Sequence, residues 1–174
     1  MSPTAEPSRP AVLLVDVSGA VLEQLLSVAI QDADADDVTP PLGSAAGWNS
    51  ERISWFREYH RAAAGLDGPG QQKSWAVSSG GELAGAVRLR RTGAGALETG
   101  IWLARSFRGR GIAREALRLV IGRAAATGAS VLEAETTAGN TAALALLRSA
   151  GAELEEGEAA TGATVPVKAR IALR

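Results

Sequence analysis

Hydrophobic and polar positions follow two rhythms along this chain, and the rhythm changes twice. Residues 11–17, AVLLVDV, form a short apolar run that predicts a strand. Residues 21–30 then place Leu22, Leu25, Leu26 and Ala29 at helical spacing. Asp32, Asp34, Asp36 and Asp37 open a loop that runs through Pro40 and Pro41. Asn49 or Ser50 is suited to cap a second helix, with Ile53, Phe56, Tyr59 and His60 near one face. That helix ends before Gly65, where a GLDGPG loop follows. The group Trp55, Phe56 and Tyr59 reads as packing for it, and His60 as a partly exposed helix residue.

The middle of the chain reads as β. Strands are predicted over 74–78, 83–90 and 97–103, separated by turns at Gly80-Gly81 and at residues 93–95. Three sequential strands with short turns make an antiparallel meander. Residues 112–126 then place Ala113, Leu117, Val120, Ile121 and Ala124 on one face of an amphipathic helix. A strand over 131–136, a helix over 141–150 capped by Asn140 and closed by Gly151, and a final strand over 165–173 complete the pattern. The stretch EAATGAT at 158–164 is loop-like, and no internal repeat is present. Residues 1–10 are a polar, proline-containing tail expected to be mobile, and residues 11–174 a single domain.

Composition narrows the function. Among 174 residues, 35 are Ala and 20 are Gly, there is no Cys, and His60 is the sole histidine. The chain therefore has no disulfide framework and no thiolate chemistry, and no metal site is expected. No apolar run approaches the roughly 20 residues of a membrane span. The start carries no signal-peptide core, so a cytoplasmic protein is expected, with no membrane or nucleic-acid partner. The net charge is −1, yet residues 88–123 hold nine Arg against Glu98 and Glu115. One strongly positive segment in a neutral chain points to a local anion site. The acidic residues 1–58 favour a cationic acceptor.

That anion site has a candidate. The segment LETGIWLARSFRGRGIA, residues 97–113, runs from a predicted strand through Arg108-Gly109-Arg110-Gly111 directly into a helix. A helix start offers unpaired N–H groups and partial positive charge, and glycines let a ligand approach the backbone. The arrangement suits a diphosphate. It lacks the Gly-Lys-[Ser/Thr] of a nucleotide P-loop and follows a meander instead of opening a βαβ unit, which disfavours a nucleotide-binding domain. A plain tight turn is the alternative.

Here the chain resembles the GNAT superfamily of acyl-CoA-dependent N-acyltransferases. Arg108, Gly111 and Ala113 match its pyrophosphate motif, [Gln/Arg]-x-x-Gly-x-[Gly/Ala]. The run from Asn140 to Gly151 matches its second signature, with Ala152 where Phe is usual. The strand LETGIWL is similar to that of the branch resembling ribosomal-protein N-terminal acetyltransferases. The resemblance covers residues 72–156 well and 11–70 by element order. It implies an α/β (α+β) fold with a mixed, mostly antiparallel sheet flanked by helices. The bulged fourth predicted strand would splay from the fifth, and acetyl-CoA would lie in the gap. Ile101, Trp102 and Leu103 would pair with pantetheine. Arg108 and the N–H groups of Gly109, Arg110, Gly111, Ile112, Ala113 and Arg114 would hold the pyrophosphate. The Asn140 side chain would bond pantetheine, although Asn140 also reads as a plain N-cap, and Trp102 as a packing residue.

The implied reaction is acetyl transfer from acetyl-CoA to a primary amine of a small molecule or peptide N-terminus by direct attack on the thioester. A carboxylate can take the amine proton, an effect worth typically 10²–10⁴-fold. Glu98 is the leading candidate, in the strand beside the expected thioester; its alternative role is an ion pair with Arg88 or Arg90. Glu133 and Glu135 on the next strand are alternates. The family's usual thiolate-protonating Tyr is matched by Leu147, and the Ser of another branch by Ala143, so neither familiar acid is present. A non-catalytic acyl-CoA-binding module and an aminoglycoside- or polyamine-type enzyme are the competing readings. A homodimer is left open.

Overall fold

The computed structural model describes residues 8–174. Of the expected tail, residues 1–7 lie outside the described residues, and 8–10 are exposed and irregular. Eight strands form one sheet: β1 (Val12–Asp16), β2 (Ala64–Gly65), β3 (Gln72–Ser79), β4 (Glu82–Gly93), β5 (Ala96–Leu103), β6 (Val131–Thr137), β7 (Glu153–Glu156) and β8 (Pro166–Ala172). Their spatial order is β1-β3-β4-β5-β6-β8-β7, with β2 paired to β3 off this path. Every pairing is antiparallel except β5 with β6. The predicted meander is β3-β4-β5.

The helices are α1 (Ala20–Asp32), the short α2 (Ala35–Val38), α3 (Ser50–Ala62), α4 (Ile112–Ala126) and α5 (Thr141–Ser149). Asn49 caps α3: its Oδ1 accepts from Arg52 N at 3.0 Å, and its Nδ2 donates to Leu42 O at 2.8 Å. Arg52, Phe56 and His60 form the buried stripe of α3. Phe56 is fully enclosed, a burial worth about 1.5–3 kcal/mol. His60, expected to be partly exposed, is buried, because its ring turns inward against Phe56 and Ser74. The aspartate loop is broken by α2, and β7 was not visible in the pattern, since ELEE has no apolar alternation of its own.

Two cores sandwich the sheet. On one face α4 packs Ile112, Ala116, Leu117, Val120 and Ala124 against Val77, Val87, Leu89, Leu97 and Leu132. Ala113 and Ile121, expected in this stripe, sit half-buried at its margin. On the other face α1 and α3 pack Leu22, Leu25, Leu26, Ala29 and Phe56 against Ala76 and Ala86.

β5 and β6 pair only over Ala96↔Val131, Leu97↔Leu132 and Glu98↔Glu133. Beyond Glu98 each strand keeps its antiparallel partner on the far side: β5 follows β4 as far as Leu103, and β6 follows β8 as far as Thr137. The two halves diverge, giving the expected splay. The expected bulge in this strand is absent, since β5 and β4 stay in unbroken register from Leu97↔Arg91 to Leu103↔Gly85. The irregularities lie instead between β3 and β4 at Val77/Ser78 and in β4 at Arg91/Gly93.

Candidate functional site

The chain leaves β5 through Ala104 and a 3₁₀ turn, Arg105–Phe107, and enters α4 by way of Gly109 and Gly111. Both glycines are left-handed, at φ 75° and 78°, a conformation in which side chains are strained. Successive N–H groups turn to one side of such a loop. Among the described residues, the first N–H of this segment to find a helical partner is that of Glu115, on Gly111 O at 3.2 Å. The N–H groups of residues 109–114 are left to face a ligand.

A groove of about 650 Å³ runs along this loop. It gathers Ile101, Trp102, Leu103, Arg108, Gly109, Gly111, Ile112, Ala113, Arg114 and Asn140, ten of the eleven residues expected to hold the cofactor. The eleventh, Arg110, lies outside: its guanidinium covers the Phe107 ring at 5.3 Å, so only its backbone N–H serves the loop. Arg108 shapes the loop from within. Its Nε donates to Leu103 O at 3.1 Å and its Nη2 lies 3.5 Å from Asp37. Arg9 also reaches this point: its Nη1 would be 3.7 Å from a Cβ placed on Gly111. Phe107, Leu146 and Ser149 line the groove too; loop and helix residues of this ordinary kind carry no sequence signal.

Asn140 Oδ1 accepts from Ala143 N at 3.1 Å and caps α5. The cap engages the oxygen and leaves the amide NH₂ available, so capping and ligand contact are compatible. Asn140 also borders a second, narrower cavity of about 180 Å³ between the diverging strands. Gly100, Ile101, Glu135, Ala143 and Leu147 share that wall. Leu147 is buried against Ala134 and Ala169.

A third cavity, about 390 Å³, lies beneath α3. Trp55, Tyr59 and His60 from α3 face Arg88, Arg90, Gly100 and Trp102 from the sheet. The Trp55 and Tyr59 rings stack at 4.8 Å. His60 Nδ1 lies 2.8 Å from Ser74 Oγ, and burial pushes the His60 pKa down to about 4, keeping it neutral. Trp102 packs against the core on this face and lines both this cavity and the groove.

Glu98 stands behind this wall. One oxygen takes Arg88 Nη2 and the other Arg90 Nη2, each at 2.9 Å. Burial raises its pKa, and the hydrogen bonds and charges of Arg90 and Arg88 more than reverse this, leaving it below the usual carboxylate range. The geometry favours the ion-pair role over that of a proton acceptor. Arg88 sits opposite Gly100 and crosses over it to reach Glu98; a Cβ on Gly100 would stand 3.0 Å from Arg88 Nε. Glu133 pairs with Lys168 at 2.9 Å, whereas Glu135 has no ion-pair partner among the described residues.

The aspartates near residue 34 hold protein, not ligand. Asp32 accepts from Ser106 N and Oγ, Asp34 pairs with Arg105 at 2.6 Å, and Asp36 pairs with Arg52 at 2.8 Å. With Asp37 on Arg108, these contacts tie the α1–α2 corner to the loop before α4. Each of these four carboxylates already has a partner within the protein.

A family model for the acetyltransferase (GNAT) domain matches residues 25–153. No curated protein matches the chain. Solved structures of the same fold include RimL, a ribosomal L7/L12 α-N-protein acetyltransferase in complex with coenzyme A. It has 17% identity and a TM-score of 0.75, covering 95% of this chain and 98% of that one. RimJ of Mycobacterium smegmatis, in complex with CoA-disulfide, has 20% identity and a TM-score of 0.75, covering 94% and 84%. A Salmonella typhimurium acetyltransferase that modifies the N-terminal serine of L7/L12 has 17% identity and a TM-score of 0.72, covering 94% and 95%. At these identities the likeness shows the fold.

Proposed function

The chain belongs to the GNAT family of acetyl-CoA-dependent acetyltransferases, and from that premise we propose that it moves the acetyl group directly onto a primary amine held beneath α3. The observation that carries this reading is the meeting of three cavities on β5 where it leaves β6. Ile101 lines all three, Gly100 and Trp102 two each. A thioester arriving along the groove and an amine arriving from beneath α3 come together there.

In this reading the N–H groups of Gly109, Arg110, Gly111, Ile112, Ala113 and Arg114 take the diphosphate, with Arg108 holding the loop in shape. The unpaired edge of β5 at Ile101, Trp102 and Leu103 takes the pantetheine amides, and the Asn140 NH₂ adds a donor. The amine nitrogen attacks the thioester carbonyl carbon. A C–N bond forms, the C–S bond breaks, and coenzyme A leaves as its thiolate. A chain without cysteine has no thiol to carry the acetyl group in between, which supports direct transfer.

The amine must lose a proton. Glu98 and Glu133 are held in ion pairs, so we assign this role to Glu135 and give Glu98 the task of positioning Arg88 and Arg90. The leaving thiolate, with a thiol pKa of about 8.5, needs little assistance near neutral pH. The replacement of its usual donors by Leu147 and Ala143 is therefore compatible with turnover. Residues 11–174 act as one domain in this reading, in the cytoplasm. Among the described residues no helix is long and apolar enough to cross a membrane.

Thermal unfolding with ligands tests the first half. Acetyl-CoA at 100 times its Kd stabilises the fold by about 2.7 kcal/mol, and NAD and ATP at equal concentration do far less. Thiol release with a panel of amines, peptides and aminoglycosides tests the second. Acetyl-CoA binding without release from any acceptor would leave a non-catalytic acyl-CoA module; equal stabilisation by ATP would point to a nucleotide domain.

A further inference from the structure

The cavity beneath α3 carries groups that acetyl transfer alone does not require. Arg88 and Arg90 both line it and share one carboxylate, Glu98. Each guanidinium has five N–H donors. Among the described residues each uses a single nitrogen, Nη2, on Glu98, and has no other side-chain hydrogen-bond partner. The triad therefore has a net charge of +1, and at the cavity wall both half-exposed guanidiniums keep N–H groups that no other protein group takes. Asp37, which also lines the cavity, faces Arg108, and His60 is neutral.

A second observation points the same way. The Tyr59 hydroxyl is fully enclosed and has no hydrogen-bond partner among the described residues. A buried hydroxyl left unpaired has lost its hydration without compensation. Tyr59 lines this cavity, and the charges of Arg88, Arg90 and Glu98 all act on its hydroxyl. Two arginines and an unpaired hydroxyl lining one cavity suit an oxyanion, for which arginine is the preferred partner. The wall also carries a flat aromatic surface, formed by the Trp55–Tyr59 stack and Trp102, beside the polar side chains of Gln72 and Ser74.

We propose that the acceptor is a small amine with a flat apolar body and an oxyanion, carboxylate or phosphate. The oxyanion is bound by Arg88, Arg90 and the Tyr59 hydroxyl, the body lies along Trp55 and Trp102, and the amine is directed to Gly100 and Ile101. This rests on the acetyl-transfer reading for what happens to the amine, but not for the binding itself. A cavity of about 390 Å³ suits a ligand of amino-acid to dipeptide size.

The test is calorimetric titration of the full chain, with and without coenzyme A, using three probes that need no turnover. They are N-acetylphenylalanine, its uncharged amide, and phenyl phosphate. At least one anionic probe should bind tenfold or more tightly than the amide. Arg90→Gln should remove most of that preference, and Tyr59→Phe about threefold of it, with the amide little affected by either. The tighter of the two anions identifies the oxyanion. Equal affinity for amide and anions, an anion preference that survives both substitutions, or binding of none of the three overturns the proposal. Failure of acetyl-CoA to bind would sink the transferase reading while leaving the anion preference measurable in the coenzyme-free protein.

Discussion

The groove beside α4 is walled largely by backbone: two left-handed glycines, a helix start and the free edge of a strand. The cavity beneath α3 is walled by side chains drawn from four separate segments, residues 37–38, 55–60, 72–74 and 86–102. Backbone presents the same N–H groups whatever residues surround it, so the first region depends on conformation and tolerates wide sequence variation. Side chains define the second, so its ligand follows from which residues meet there. The co-substrate is thereby fixed by fold and the acceptor by composition. Substitutions in the two regions should accordingly fail in different ways.

The largest effect is expected at Gly111. Gly111→Val places a β-branched residue at φ 78° and sets a side chain among the presented N–H groups. Coenzyme A affinity should fall by about 100-fold or more, with the thermal shift from acetyl-CoA abolished and the unliganded fold largely kept. Normal binding would mean that the cradle lies elsewhere.

The carboxylates sharpen the contrast next. Glu135→Gln should lower kcat by about 10–100-fold near neutral pH, with acetyl-CoA affinity little changed, and the deficit should shrink as pH rises and the ammonium loses its proton without help. Glu98→Gln should act mainly on the acceptor KM and leave the shape of the pH–rate profile intact. A profile that loses its acidic limb in Glu98→Gln, and keeps it in Glu135→Gln, would return the proton-accepting role to Glu98.

Acid stability probes the α3 side through His60. The His60 pKa of about 4 lies below its unfolded value near 6.5, so the unfolded chain binds a proton that the fold refuses. Stability should fall as pH drops from about 6.5 to about 4, by roughly 3 kcal/mol from this group. Glu98 adds a loss at lower pH, because its depressed pKa stabilises the fold above the ordinary carboxylate range, and that contribution disappears as pH falls through the folded value. Urea unfolding of His60→Gln across this range should show a flatter slope than the parent chain.

The smallest effect is expected at the aspartate corner. Asp34→Asn breaks an exposed ion pair with Arg105 and should cost less than about 1 kcal/mol, read as a shift of a few degrees at most in the melting temperature.

The sequence by itself determined the parts governed by local rules. Asn49 and Asn140 cap the helices that their side chains fit, and residues 112–126 appear as α4 with the bounds that the pattern predicts. Helix caps, turns and periodicity act over a few residues, so they are written in short stretches. The groove was legible for the same reason, since one loop and one helix start build most of it; the course of the Arg110 side chain was not, because its guanidinium covers the Phe107 ring. Tertiary structure alone decided the rest. β8 inserts between β6 and β7, the strand at 153–156 exists only because β8 gives it a partner, and Arg88 reaches Glu98 only because Gly100 leaves room. The four aspartates read as a solvated loop until Arg52, Arg105, Ser106 and Arg108 arrive from elsewhere to meet them. Charge pairing and cavity lining depend on distance in space, and the fold brings together residues as far as 74 positions apart that no local pattern connects.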